Sequence, residues 1–181
     1  HINNIVILGA GGTSRSIAFG LSRSLESNKQ LFILNRSEKS ATELGEAIAN
    51  SNSLLKVSSG RLDEIDKYIS NCDLIINTTS VGMEGVNSKI NINLANTKTD
   101  LFVYDVIYTP LQTNLLQEAK RYNLSYSNGL GMLINQAAPG FCHFFDYDNH
   151  ENLIGDRELI KDLEKKIIQL LFMQKKKKEK I

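Results

Sequence analysis

The chain has 181 residues, 41% of them apolar and 23% charged, with a formal net charge of +1, enough to bury one core and too mixed for a disordered or fibrous protein. No run reaches the roughly 18 apolar residues of a membrane span and no charged-then-apolar leader is visible, so no membrane partner is expected and the expected location is cytoplasmic. Only Cys72 and Cys142 are present and the three histidines stand apart, which argues against a disulfide scaffold and against a metal site.

In chain order, the apolar run NIVILG reads as a strand, and residues 13–26 behind it have helical spacing. LFILN followed by 38–50 and LLKVS followed by 61–70 repeat that unit. DLIINT adds a fourth strand, and the segment 80–100 after it lacks a periodic face, so it reads as a loop with at most a short helix. LFVYDV then precedes a helix over 112–121, and LSYSN precedes one over 131–145. Strands separated by helices can pair in parallel, and near-continuous apolar strands suit burial on both faces. The expected fold is therefore α/β: a Rossmann-like doubly wound parallel six-stranded sheet with helices on both faces. Beyond residue 150, Leu159, Ile160, Leu163, Ile167, Leu170 and Leu171 trace the stripe of a C-terminal amphipathic helix. The final QKKKKEKI holds five lysines, while acidic residues outnumber basic ones elsewhere. A basic tail of this kind reads as a solvated end, and no nucleic-acid partner is expected.

GAGGTSR, between the first strand and the first helix, carries Gly9, Ala10, Gly11, Gly12, Thr13 and Ser14. Gly9 permits a tight turn, Gly11 lets the backbone approach a pyrophosphate, and the helix starting near Thr13 presents free N–H groups to an anion. Ser14 stands where the dinucleotide fingerprint usually has its third glycine. The strand before and the helix after are the context in which this motif binds a cofactor. At the end of the second strand, where an acidic residue would hold a ribose diol, the chain has Asn35, Arg36 and Ser37, with Lys39 close behind. Arg36 can stack on adenine and pair with a 2′-phosphate, and Ser37 and Lys39 add donors. NADP is the expected cofactor, with NAD left open by the nearby carboxylate of Glu38.

GAGGTSRSIA, NRSEK, INTTSVGM, VYDVIYTPLQTNLL and GLGMLINQAAPGF, in that order, resemble the NADP-binding domain of shikimate dehydrogenases over about residues 3–145. The resemblance implies that Thr79 and Ser80 lie along the cofactor and that Val106 sits against the nicotinamide. It further implies that Gly129 offers its carbonyl to the carboxamide and that Met132 packs on the ring. Tyr108 and Gln136 would reach the substrate, shikimate or 3-dehydroshikimate. Pro110 and Thr113 are expected to set a turn and cap the following helix. The implied organisation is an NADP-binding domain over 1–150, a helix over 151–174 that packs on an absent substrate domain, and a basic disordered tail over 175–181.

Shikimate dehydrogenases of the usual form carry an N-terminal substrate domain that supplies a lysine and an aspartate for proton transfer. Neither motif occurs here, so no catalytic residue is expected in this chain, and the substrate-binding domain would be on the same or another polypeptide. Two alternatives stand beside this reading: a non-catalytic nucleotide-binding or redox-sensing module, which the missing pair suggests, and the cofactor domain of glutamyl-tRNA reductase, which shares the NR strand end.

Overall fold

The computed structural model describes residues 2–24, 29–86 and 88–144, together with 158, 161, 162 and 164–169; from 138 to 144 it describes the backbone alone. The chain divides into two compact units, His1–Asn128 and Gly129–Ile181. The boundary expected near residue 150, most of the C-terminal apolar stripe and the lysine tail lie outside the described residues.

The first unit is built on six parallel strands: β1 (Asn4–Leu8), β2 (Gln30–Asn35), β3 (Lys56–Arg61), β4 (Leu74–Asn77), β5 (Phe102–Asp105) and β6 (Ser125–Asn128). Their order across the sheet is β3-β2-β1-β4-β5-β6. The crossovers include α1 (Gly12–Ser24), α2 (Glu38–Ser51), the one-turn α3 (Asp66–Ile69) and α4 (Asn114–Arg121). Winding leaves β1 in one direction toward β2 and β3 and resumes at β4 on the other side, which makes the β1/β4 boundary the topological switch point of a Rossmann-like sheet.

The period-two alternation of β1 explains why helices cover both faces. Ile5 and Ile7 join Ala18 of α1 and Ala41, Leu44 and Ile48 of α2 in one fully buried cluster. Val6 and Leu8 point the other way, into a second cluster with Ile65, Ile69, Leu115, Leu116 and Ala119. Helix starts follow local capping. Ser37 accepts the Ser40 N–H at α2 and Thr113 accepts the Leu116 N–H at α4, so the cap expected of Thr113 is present. The segment after β4 contains a single turn of 3-10 helix, Leu94–Asn96, as its lack of periodicity predicts.

The third strand and its helix differ from expectation. β3 runs on to Arg61, taking the start of the helix predicted over 61–70, which is reduced to a 3-10 turn at Leu62–Glu64 and the four residues of α3. The reason is pairing: Ser58, Ser59, Gly60 and Arg61 offer no apolar side chain, yet each has a partner on β2, from Phe32 to Asn35. At Gly60 a side chain would meet the Tyr68 hydroxyl at 3.1 Å, so the chain turns back closely over the strand end.

At the sheet's amino-terminal edge Asp73 accepts the N–H groups of Asn3 (2.7 Å) and Asn4 (2.8 Å) and pairs with the Lys98 ammonium. Burial alone would raise its pKa. The Lys98 hydrogen bond, the two amides and the Lys98 charge together outweigh burial and hold the carboxyl below the usual carboxylate range. A depressed folded-state pKa adds stability above the unfolded pKa, and that stability is lost as pH falls toward the folded one. The urea midpoint is therefore expected to drop below about pH 4, and to drop less steeply in Asp73→Asn. Equal acid limbs in the two proteins would remove Asp73 as the cause.

In the second unit α5 runs over Leu130–Phe144. A side chain at Gly131 would meet Glu164 Oε1 at 3.0 Å, so the helical stretch 164–169 passes close to the start of α5. Among the described residues no helix is long and apolar enough to cross a membrane.

Candidate functional site

Four loops leave the carboxyl edge of the first unit's sheet side by side, because backbone pairing continues past the strand ends. Gly9 N–H donates to the Leu34 carbonyl (2.7 Å), Thr78 N–H to that of Leu8 (2.9 Å), and Val106 N–H to that of Asn77 (3.0 Å). The glycine loop, the Asn35–Lys39 segment, Thr79 and Ser80, and Val106 to Tyr108 thus share one edge. Ligands bind there in open α/β sheets.

The glycine loop is shaped by two different constraints. Gly9 has φ of 110°, and a Cβ on it would meet Thr78 Oγ1 at 2.5 Å, so the protein itself requires glycine here. At Gly11 and Gly12 a Cβ would meet nothing within 4 Å. Among the described residues no atom demands their smallness, which leaves open backbone at the N-terminus of α1. That helix has no acidic residue in its first turn, so its N–H groups and positive dipole end face outward uncompensated. A pyrophosphate fits this cradle in both charge and space.

Ser14 helps to shape the loop from within. Its side chain is fully buried and its hydroxyl donates to the Gly9 carbonyl at 2.7 Å. The hydroxyl closes the loop on itself, so only the backbone N–H of Ser14 remains to meet an anion. Ala10 is half-buried, and Thr13 is exposed at the first turn.

At the end of β2, Asn35 donates from Nδ2 to the Ser37 carbonyl at 3.1 Å and fixes the turn into α2. Arg36 is exposed at the turn into α2, while Lys39 pairs loosely with Glu43 at 3.9 Å on an exposed helix face. Such a pair contributes little and releases its lysine easily. Glu38 follows the Ser37 cap, in the first turn of α2, where a carboxylate complements the helix dipole. That placement explains Glu38 without a ribose.

The sequence reading missed a group of buried polar side chains under the β4 and β5 loops. Asn77 and Asp105, the last residues of these strands, are both fully buried. Asp105 Oδ1 accepts from Asn77 Nδ2 (3.0 Å) and the Ile107 N–H (3.1 Å), and Oδ2 accepts from the Thr113 hydroxyl (2.6 Å). Asn77 Oδ1 accepts both the N–H (3.0 Å) and the hydroxyl (2.7 Å) of Thr79. Burial holds the Asp105 carboxyl above the usual carboxylate range, and the bonds from Thr113, Ile107 and Asn77 offset only part of that rise. The available signal was an Asn and an Asp closing the strands LIIN and FVYD, where another apolar residue would have continued the pattern.

Val106 is half-buried and Tyr108 is 41% exposed, so the tyrosine ring is presented to solvent at the shared edge. Gly129, Met132 and Gln136 belong to the second unit. There Gly129 is buried, with its carbonyl accepting the Leu133 N–H at 3.0 Å; Met132 is half-buried, and Gln136 is exposed.

Strand order and glycine loop define a dinucleotide-binding domain of the doubly wound class. A family model described as shikimate / quinate 5-dehydrogenase matches residues 1–119, and the chain belongs to that family. It is similar to the NADP(+) shikimate dehydrogenase of Methanococcus vannielii, with 43% identity over 141 residues, 76% of this chain and 48% of the relative. A shikimate dehydrogenase solved in complex with NADP+ matches with TM-score 0.67 and 35% identity, covering 89% of this chain and 54% of that one. The quinate dehydrogenase of Corynebacterium glutamicum, solved with NAD, matches with TM-score 0.68 and 25% identity over 78% of this chain and 49% of that one. The chain thus spans about half the length of the relatives it matches.

Proposed function

We propose that the chain is the cofactor-binding half of an NADP-dependent shikimate dehydrogenase, which reduces 3-dehydroshikimate to shikimate in the cytoplasm, on the route to chorismate and the aromatic amino acids. The observation that carries this reading is the open backbone at Gly11 and Gly12, facing the uncompensated N-terminus of α1, with Arg36 exposed at the next strand end. The N–H groups from Gly11 to Ser14 would hold the pyrophosphate, while Arg36, Ser37, Lys39 and Asn35 would surround the 2′-phosphate. Thr79, Ser80 and Val106 would line the nicotinamide half, and Tyr108 would meet the substrate. By the resemblance, Gly129 and Met132 would have nicotinamide contacts and Gln136 a substrate contact.

NADP, when bound, supplies the hydride chemistry. The chain's own part is to bind the cofactor, orient it and cover it. Proton transfer at the reacting oxygen needs an acid or base in reach, and no residue of this chain is assigned that task. It falls to a substrate-binding domain on the same or another polypeptide, in keeping with a match that covers 48% of the relative.

Calorimetric titration with NADPH and NADH tests the reading, followed by addition of shikimate to the NADP-loaded chain. Micromolar NADPH binding, much weaker NADH binding and no change in nicotinamide absorbance are expected. Failure to bind either dinucleotide would overturn the proposal. Turnover by the chain alone would place the proton-transfer group within it, and a preference for NADH would assign Glu38 to the ribose.

A further inference from the structure

The buried polar side chains beneath the β4 and β5 loops have no packing task that requires polarity. A carboxylate withdrawn from water without a cation loses several kcal/mol of solvation, which hydrogen bonds return only if every one is well made. Apolar residues at 77 and 105 would extend the second core cluster or its neighbour without that demand. Yet the bonds here form one continuous path. It runs from Thr113 at the start of α4 through Asp105 to the Ile107 N–H, and through Asn77 to Thr79. Thr79 Oγ1 in turn accepts the Val81 N–H at 3.2 Å, and Asn77 Nδ2 also reaches the Val81 carbonyl at 3.4 Å.

The donors dictate the side chains. Three donors, from Asn77, Ile107 and Thr113, converge on Asp105, and a carboxylate accepts all three without offering a hydrogen of its own. An asparagine at 105 would turn an NH2 group toward one of them. The Asn77 amide is oriented by the same logic: reversing it would set its oxygen against the carboxylate and its NH2 against the Thr79 donors.

We propose that Asp105 is a positioning residue for the dinucleotide: through Asn77 it sets the turn from Thr79 to Val81, and directly it sets the Ile107 amide, so that both loops are pre-shaped to receive the nicotinamide half. This rests on the NADP reading above. Asp105 touches no ligand itself, since it is sealed beneath the loops. Pre-shaped loops bind more tightly because less freedom is lost on association.

Asp105→Asn separates positioning from general structure when two ligands are compared. NADPH uses both halves of the site, whereas adenosine 2′,5′-bisphosphate uses only the glycine loop and the Arg36 end. The NADPH Kd is expected to rise about tenfold, one buried bond's worth, with the bisphosphate Kd unchanged. In the same samples, hydrogen exchange at the Thr79, Val81 and Ile107 amides should quicken while that of Ile7 and Ile33 stays as in the parent. Equal loss of both ligands, loss of neither, or uniformly faster exchange would overturn the proposal. Should Asp105→Asn not fold, Thr113→Val removes one of the three donors and carries the same comparison in milder form. If the parent binds neither ligand, the NADP reading fails, and the exchange pattern still decides whether Asp105 holds these loops.

Discussion

Gly9→Ala is expected to lower the melting temperature and to abolish dinucleotide binding, whereas Gly11→Ala is expected to abolish or weaken binding alone. The two glycines sit two residues apart in one loop and answer to different masters. At φ of 110° an L side chain is strained, by roughly 1–2 kcal/mol for left-handed backbone. The added Cβ also lands 2.5 Å from Thr78 Oγ1. Thr78 can escape only by breaking its hydrogen bond to the Leu8 carbonyl, now 2.7 Å, which adds about 1 kcal/mol. Together these amount to about 2–3 kcal/mol, or a fall of about 4–12 °C for a chain of this size. At Gly11 a Cβ meets open space and no positive φ is involved. Any loss of affinity there comes from the ligand side, where the methyl group would occupy the approach to the pyrophosphate. Calorimetry with and without NADPH reads both effects. A Gly9→Ala protein that melts like the parent would refute the steric account, and a Gly11→Ala protein that binds normally would remove that residue from the cofactor's path.

Charge at residue 36 should decide which dinucleotide binds. Replacing Arg36 with alanine is expected to weaken NADPH binding by about 10–100-fold, the range for losing charge-assisted hydrogen bonds to a phosphate, while NADH binding changes little. Arg36→Glu should go further and invert the preference, because a carboxylate repels the 2′-phosphate and accepts from a ribose diol. Arg36 is well suited to this test since it is exposed, so its removal leaves the fold alone. Ser37 is not. Its side chain caps α2 through the Ser40 N–H, and its loss would mix an affinity effect with a helix-stability effect. Equal losses for NADPH and NADH in Arg36→Ala would show that the residue stacks on adenine rather than reading the phosphate.

Local chemistry carried the reading of the sheet and its loop. β1, β2 and β4 are dominated by Ile, Leu and Val, which two-sided burial satisfies, and they lie where the apolar runs lie. The turn at Gly9 and the cap at Thr113 depend on neighbours a few residues away, so they too were legible. The weak strand was less so: β3 contains two serines and a glycine, and only its pairing with β2 makes it run on to Arg61. The hydroxyl of Ser14 turns inward to Gly9, five residues back, because closure of the loop brings that carbonyl within reach, a contact the motif alone does not show.

Asn77 and Asp105 lie 28 residues apart, and nothing in either strand alone says that an amide and a carboxylate will meet. Parallel pairing of β4 with β5 puts them in register, and burial then forces each donor to find an acceptor. The sequence by itself determined the α/β class, the glycine loop between β1 and α1 and the arginine at the second strand end, since these rest on periodicity, glycine stereochemistry and charge within a few residues. Tertiary structure alone decided which glycine serves the fold and which is left open, and which polar residues hold the loops in shape. Those properties depend on what lies across the sheet, at distances in sequence that local physics does not reach.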